Sequence, residues 1–353
     1  MAYTTIDNPE LYFQVKLFTG DASATSHTLG GSENMQPDLA WFKSRSRADN
    51  SRIVDALRTT YSLKSNENDA QVDSSGDGFT SLDADGFTLN GSGGGGEFNA
   101  ASGTYVAWCW KAGTTSGINT TGADITLASY SFNDTSKFSI IKYEGNDTAD
   151  TQVPHGLGAV PKFGLFKKLE STGHWMTYHH TLDDDEKLYL NDTHAAVTDA
   201  DAWNETDPTS VLWTIDIEDD ANESGEDIVA YSWAEVQGYS KFGIYTGNAN
   251  ADGAFVYTGF RPAFVMVKGI GGTVHWNMFD NKRATGNPAT YPIWANDTAA
   301  EQTDPYPIDI LSNGFKARTV SSQVNATTTD PYVYMAWAES PFVNSNGVPC
   351  NAR

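Results

Sequence analysis

One run of residues is written into this chain three times. Tyr105-Val106-Ala107-Trp108-Cys109-Trp110 returns as Ile228-Val229-Ala230-Tyr231-Ser232-Trp233 and again as Tyr332-Val333-Tyr334-Met335-Ala336-Trp337. Each copy is aromatic and β-branched and closes on tryptophan, which reads as a buried strand. Asn99, Asn222 and Asn325 stand eleven, eleven and twelve residues before the three closing tryptophans, with small or acidic residues between. A polar turn therefore feeds each strand.

The repetition is wider than one strand. Pro37-Asp38-Leu39-Ala40-Trp41-Phe42-Lys43, Pro161 to Lys167 and Pro262 to Lys268 share the pattern Pro-x-apolar-x-apolar-apolar-Lys. Upstream, Leu17 to Gly20, Lys142 to Gly145 and Ile244 to Gly247 each end on glycine, where a positive φ is cheap. Between the proline block and the closing Trp lie Leu63-Lys64-Ser65-Asn66, Leu188-Tyr189-Leu190-Asn191 and Ile293-Trp294-Ala295-Asn296. The three prolines are 124 and 101 residues apart, a period too long for a solenoid and suited to one small domain each.

Abundant Gly, Ser, Thr, Asn and Asp between short apolar runs, with no long stripe of period 3.6, make this an all-β pattern. The expected architecture is three tandem antiparallel β-sandwich repeats of jelly-roll or lectin-like type. Its divisions are a lead-in over 1–12, repeat one over 13–112, a Gly/Ser/Thr linker over 113–136, repeat two over 137–236, repeat three over 237–340 and a polar tail over 341–353. The short connection at Gly238-Tyr239-Ser240-Lys241 implies that repeats two and three pair, with repeat one on the longer tether. Any helix is expected near Arg52–Arg58. The glycine run at 91–96 lacks the lysine and the strand-to-helix setting of a phosphate loop and reads as a flexible hairpin tip.

The 22 Lys and Arg against 45 Asp and Glu leave a formal charge of −23 spread along the chain. Phosphate contacts need a basic face, so nucleic acid is excluded as a partner and an anionic membrane surface is disfavoured. Cys109 and Cys350 sit in unlike contexts, which rules out a disulfide framework and a cysteine zinc site. No apolar run approaches 18 residues and the N-terminal residues lack a signal-peptide pattern. Synthesis in a cytoplasm without membrane insertion is the expectation.

Residues kept at the same place in three copies read as core: Trp41, Trp110, Trp233 and Trp337, with Pro37, Pro161 and Pro262 opening strands. Trp203 lies instead among polar turn residues, and Trp294 stands near Tyr291 and Tyr306 with Pro and Asp around it. A flat aromatic face beside carboxylates and amides is what a pyranose needs, so these four are the carbohydrate-binding candidates; the competing reading folds them back onto their own scaffold. His174-Trp175, ahead of the acidic run Asp183–Glu186, invites a metal. Its counterpart His275-Trp276, at the same offset from the proline, makes it scaffold. The acidic stretches at Asp73–Asp77 and Asp83–Gly86 lack the spaced ligands of a calcium loop. No cofactor is expected, and calcium is left open only as an unspecific ion. There is no nucleophile elbow and no His-Glu-x-x-His, and with 45 carboxylates a close pair would mean little. The chain makes no enzymatic case.

With these landmarks assembled, the chain resembles a family of acidic, internally repeated virion and tail-fibre-like structural proteins of marine tailed bacteriophages of cyanophage type. The residues that carry the resemblance are Met1–Pro9, Gln36–Trp41, Tyr105–Lys111, His155–Lys162, Gly238–Gly243, Tyr257–Pro262, Leu311–Lys316 and Pro341–Pro349, which span the whole chain. The glycine run at 91–96 has no counterpart in that resemblance. It implies a virion setting and contacts with other virion proteins in a homo-oligomer, a trimer being one form, and it supplies no catalytic residues. The leading expectation is a tail-fibre or appendage component that contributes to attachment to host-surface glycan. The rival is a capsid-decorating, head-fibre or collar/tail structural protein without a ligand, and a polysaccharide depolymerase is the third reading.

Overall fold

In a computed structural model, which describes residues 3–91, 96–303, 306–327 and 329–350, strands take 40% of the chain and helix 4%. The fold is all-β, built of antiparallel sheets of which none is closed. Three sheets are large. The first runs, edge to edge, Phe13–Thr19, Thr104–Trp110, Leu39–Ser44, Arg52–Asp55, Tyr61–Lys64 and Val72–Asp73. The second runs Ser129–Asn133, Phe138–Glu144, Asp227–Trp233, Phe163–Lys168, Met176–His179, Glu186–Tyr189 and Val197–Thr198. The third runs Ser240–Thr246, Pro331–Pro341, Phe260–Gly269, Asn277–Asp280 and Ile293–Trp294.

In every large sheet the thrice-written strand lies between the strand that leads to the glycine landmark and the strand that follows the proline landmark. Trp110 faces Phe13 and Leu39 across the ladder, Trp233 faces Phe138 and Phe163, and Trp337 faces Ser240 and Phe264. Alternate side chains of a strand point to opposite faces, and here both faces are covered. Tyr105, Ala107 and Cys109 pack with Phe79, Phe87 and Leu89 of a small three-stranded sheet. Ile228 and Ala230 pack with Val153, Trp213 and Ile215 of a two-stranded one. Tyr332, Tyr334 and Ala336 pack with Val256, Ile310 and Phe315 of a second three-stranded one. The opposite faces, with Val106, Trp108, Trp110, Val229, Tyr231, Trp233, Val333, Met335 and Trp337, merge into a single shared cluster. Two-sided burial is why the run reads as continuously apolar instead of alternating.

The closing indoles meet inside that cluster. Trp110, Trp233 and Trp337 lie 6.0, 5.3 and 5.9 Å apart, each pair at 66–73° between planes. Edge-to-face geometry sets the positive ring edge against a negative face. Their Nε1 atoms, like that of Trp41, are buried without a hydrogen-bond partner among the described residues.

The repeated polar landmarks hold the backbone. Asn99 accepts from the Asp21 amide at 3.0 Å and donates to the Ser23 carbonyl at 2.8 Å. Asn222 and Asn325 make the same kind of bond to the Asn146 and Asn248 amides. Lys43 donates to the carbonyls of Asp49 and Asp297, and Lys268 to those of Thr193 and Val274. Burial lowers both amines, Lys43 to about 8 and Lys268 to about 7. Segments after the third landmark reach across: the Gln71 amide donates to the Leu169 carbonyl, Ala196 to Ile270, and Glu301 to Arg45. The three large sheets are thereby tied pairwise in a ring.

Several expectations give way to this closure. No helix forms at 52–58, because Arg52–Asp55 is a strand whose neighbours use the arginines. Arg52 reaches Glu97 and Ser62, and Arg58 bonds Asp55 at 2.7 Å and Tyr231 at 2.9 Å. Among the described residues the α-helices are single turns at Gly96–Asn99, Ala200–Trp203 and Asp219–Asn222, and Pro9–Leu11 is a 3-10 turn. The first large sheet is not set apart on a tether, since its inward face belongs to the shared cluster. Within 113–136, Ser129–Asn133 forms an edge strand, and buried Asp38 holds the preceding turn through the Ala112 amide at 2.9 Å and Ser131 at 3.3 Å. The tail has partners as well: Ser345 donates its amide to Asp7 at 2.7 Å, while Ile6 enters the shared cluster. Of the glycine run, 92–95 lie outside the described residues.

His179 sits where the second and third large sheets meet. It is buried, with Nε2 3.4 Å from the Tyr334 carbonyl oxygen and Nδ1 2.8 Å from the Thr181 hydroxyl. Burial lowers it from 6.5 to about 3, and His155, bonded to the Leu157 amide and the Thr209 carbonyl, falls to about 4. A base with a depressed folded pKa contributes stability that is complete above its unfolded value and is lost as pH falls through the folded one. Urea midpoints should therefore drop as pH goes from about 6.5 toward 4, and His179→Gln should show a shallower fall than the parent. Equal slopes for the two proteins would contradict the assignment.

Candidate functional site

Side chains that recur at all three places are consumed by the scaffold, so a site is to be sought among those that occur once. The strand Phe255–Tyr257 is the clearest case. Val256 points inward, while Phe255 and Tyr257 point outward and are 48% and 53% exposed. Two residues of strand rise separate them by about 6.6 Å. Phe255 pairs with Lys316 and Tyr257 with Gly314, and the next strand sets Asp309 and Leu311 beside these. A Cβ at Gly314 would stand 3.2 Å from the Phe255 ring and 2.0 Å from the Val256 oxygen. Glycine is required there, and the Phe255 ring lies close over its bare backbone.

The aromatic row continues onto the lead-in. Tyr3 donates to the Gly259 carbonyl at 2.7 Å and its hydroxyl lies 3.4 Å from that of Tyr257. Gly259 has φ +84, and a Cβ on it would meet the Tyr3 hydroxyl at 2.7 Å and the Tyr257 hydroxyl at 3.6 Å. Beyond Tyr3 opens a cleft of about 650 Å³ lined by Thr4, Thr5, Asp134, Thr135, Lys137, Glu235, Val236 and Gln237. Its cations are matched: Lys137 to Asp134 at 2.6 Å and, at the rim, Lys241 to Glu235 at 2.8 Å. At the far end of the row Lys316 pairs with Asp252 at 2.5 Å, and Arg318 lies 3.4 Å from Asp252 and Asp309. Rings, hydroxyls and charge-balanced pairs thus share one surface. On the sides turned away from their cores the other small sheets carry Ser26 beside Thr88 and Gln152 beside Thr214, of which Thr214 is buried.

The residues singled out from sequence do not converge. Trp203 is 1% exposed, packed between Phe166, Tyr178 and Trp213, with Nε1 donating to the Glu186 carbonyl at 3.0 Å. It has no free face for a sugar, because the one-turn helix Ala200–Trp203 delivers it into the core. Tyr306 packs against the cluster under the third small sheet. Trp294 lies parallel to His275 at 3.8 Å and 6°, its Nε1 donating to Asn277 at 3.1 Å. Tyr291 alone of the four is openly exposed, at 47%. Trp41, Trp110, Trp233 and Trp337 are at most 3% exposed, and Pro37, Pro161 and Pro262 are buried, but Pro262 does not open its strand: it lies inside Phe260–Gly269, where the register shifts.

The His-Trp pairs are structural. Asn191 and Asn296 accept from the Trp175 and Trp276 amides at 2.9 Å and face His174 and His275 at 3.0 and 3.2 Å. The densest titratable group is Lys187, 1% exposed, bonded to Asp199 at 2.7 Å and to Glu218. It braces a strand to two helix starts. Among the described residues no three His, Cys, Asp or Glu are grouped to hold a metal ion.

Phe255 and Tyr257 escaped sequence reasoning because Phe-Val-Tyr has no polar position to mark its outward face. Their signal is negative: the equivalent strands of the other small sheets carry polar residues outward. The chain belongs to the DUF7483 family, a domain of unknown function, whose model matches residues 8–341. No curated protein and no solved structure matches it. Mild nitration should modify Tyr257 and Tyr291 and spare Tyr143, Tyr231 and Tyr239, which burial covers. Prompt nitration of the second group, read by peptide mass, would contradict this surface.

Proposed function

We propose that this chain is a non-enzymatic structural protein on the exterior of a tailed-phage virion, an appendage component that contributes to attachment to host-surface glycan. In this reading the three pairings of a small sheet over a large one are copies of one β-sandwich unit, over 13–112, 137–236 and 237–340. The equal neighbours of the three closing-Trp strands support it. The whole would be a rigid body with an internal threefold likeness, suited to a symmetric oligomer such as a trimer and to contacts with other virion proteins.

The observation that carries attachment is the row of exposed Phe255 and Tyr257 with half-buried Tyr3 beside them. Weak sugar contacts made by a rigid scaffold gain strength when several copies act together. Particles lacking the protein should adsorb to host cells markedly more slowly, and purified protein should compete with intact particles. Normal adsorption would sink this reading.

A second reading is a capsid-decorating, head-fibre or collar/tail structural part with no ligand. It is favoured by the way Trp203 and Tyr306 are taken up by the fold, and by the pinning of the tail to the lead-in. Normal adsorption by particles that fall apart without the protein would select it.

A further inference from the structure

We propose that Phe255, Tyr257 and Tyr3, together with the cleft beyond Tyr3, form one extended subsite for a neutral, hydroxyl-rich oligosaccharide. The inference rests on the attachment reading and names its ligand class.

The rings are placed to be stacked upon. Phe255 and Tyr257 stand on a sheet, about 6.6 Å apart along the strand, so neither must be ordered when a ligand arrives. Gly314 and Gly259 clear the backbone beside them, where a side chain would collide with ring or hydroxyl. The Tyr3 hydroxyl, bonded to the Gly259 carbonyl, fixes the lead-in as the next step of the row.

The cleft supplies hydrogen-bonding groups without a charge preference. Lys137 and Asp134 face one another at 2.6 Å, so donor and acceptor are held side by side, as a sugar hydroxyl, which both donates and accepts, requires. Thr5 and Thr135 add exposed hydroxyls, while the buried Thr4 hydroxyl is spent on the Ile6 backbone and shapes the wall. No unmatched cation selects an anion, and with a net charge of −23 the chain repels polyanions at low salt. A protein partner would ask for a desolvated apolar centre; here the rings are flanked by ion pairs that remain partly open to water.

The test is a panel of immobilised gluco-, manno- and galacto-oligosaccharides, with oligogalacturonate as the acidic comparison, probed with the whole protein and with the double variant Phe255→Ala/Tyr257→Ala. Val320→Ala, at an exposed position elsewhere, serves as the control. The parent should bind at least one neutral oligomer, and the double variant should bind it about tenfold or more weakly, with unchanged thermal unfolding and an unaffected control. Binding to no neutral oligomer, preference for oligogalacturonate, or undiminished binding by the double variant overturns the subsite. So does a parent dimer that the double variant converts to monomer without loss of sugar binding, since the row would then be a self-contact. Labelled protein on host cells separates the two levels. If the double variant still coats cells, attachment stands elsewhere and this subsite falls. If the parent does not coat cells, the attachment reading falls, and the panel alone decides the subsite.

Discussion

Three indole rings packed edge to face are the contact on which the rest of this molecule depends. Trp110 and Trp233 end, and Trp337 lies within, an interior strand of a different large sheet, and each brings that sheet's inward face into one cluster. A sheet covered only by its small partner would leave Val106, Trp108, Val229, Tyr231, Val333 and Met335 in water. Burying such side chains is worth about 1.5 to 3 kcal/mol apiece for the aliphatic ones, which is the reason the sheets close on one another. The cost is three indole N–H groups sealed from water without a hydrogen-bond partner among the described residues. That cost is tolerable because each ring buries far more apolar surface than polar.

Once the sheets are closed, the polar landmarks follow. A lysine at the end of each proline strand must enter a region without solvent, so Lys43 and Lys268 spend their protons on backbone carbonyls of a neighbouring segment, and burial weakens their hold on charge. Asn99, Asn222 and Asn325 tie turns that have no sheet partner. Where the pattern breaks, the substitutes are informative. Asp55 with Arg58 meets Tyr231 at one junction, Asp280 with Arg283 meets Trp108 at another, and His179 takes the corresponding place at the third. Repetition marks what holds the fold, and departures from it mark where surfaces differ. The Phe255–Tyr257 face is such a departure.

Much of this was legible in the sequence. The all-β class, the buried tryptophans and the buried prolines could be read because each is written more than once and a copied apolar residue is most simply core, although Pro262 lies within its strand and does not open it. What could not be read was which face of a short strand looks outward. Trp203, flanked by Asp, Asn and Glu, has the surroundings of a surface loop, yet a single helical turn capped by Asp199 rotates it into the core. Phe255 and Tyr257 have the surroundings of a core strand and stand in solvent. Polar flanks report on the backbone's path, not on the direction of one side chain. The closure of three sheets around one cluster was also hidden, because contacts such as Lys43 with Asp297 join residues that no local pattern connects.

The claim that one shared cluster makes the three large sheets a single cooperative body is tested most directly by hydrogen exchange on Trp233→Ala. Losing a buried tryptophan costs about 3 to 5 kcal/mol. If the cluster is shared, the slowest-exchanging amides of Thr104–Trp110, Asp227–Trp233 and Pro331–Pro341 should all lose protection by the same amount. Loss confined to Asp227–Trp233 and its own sheet, with the other two strands protected as before, would show three independent bodies and contradict the account.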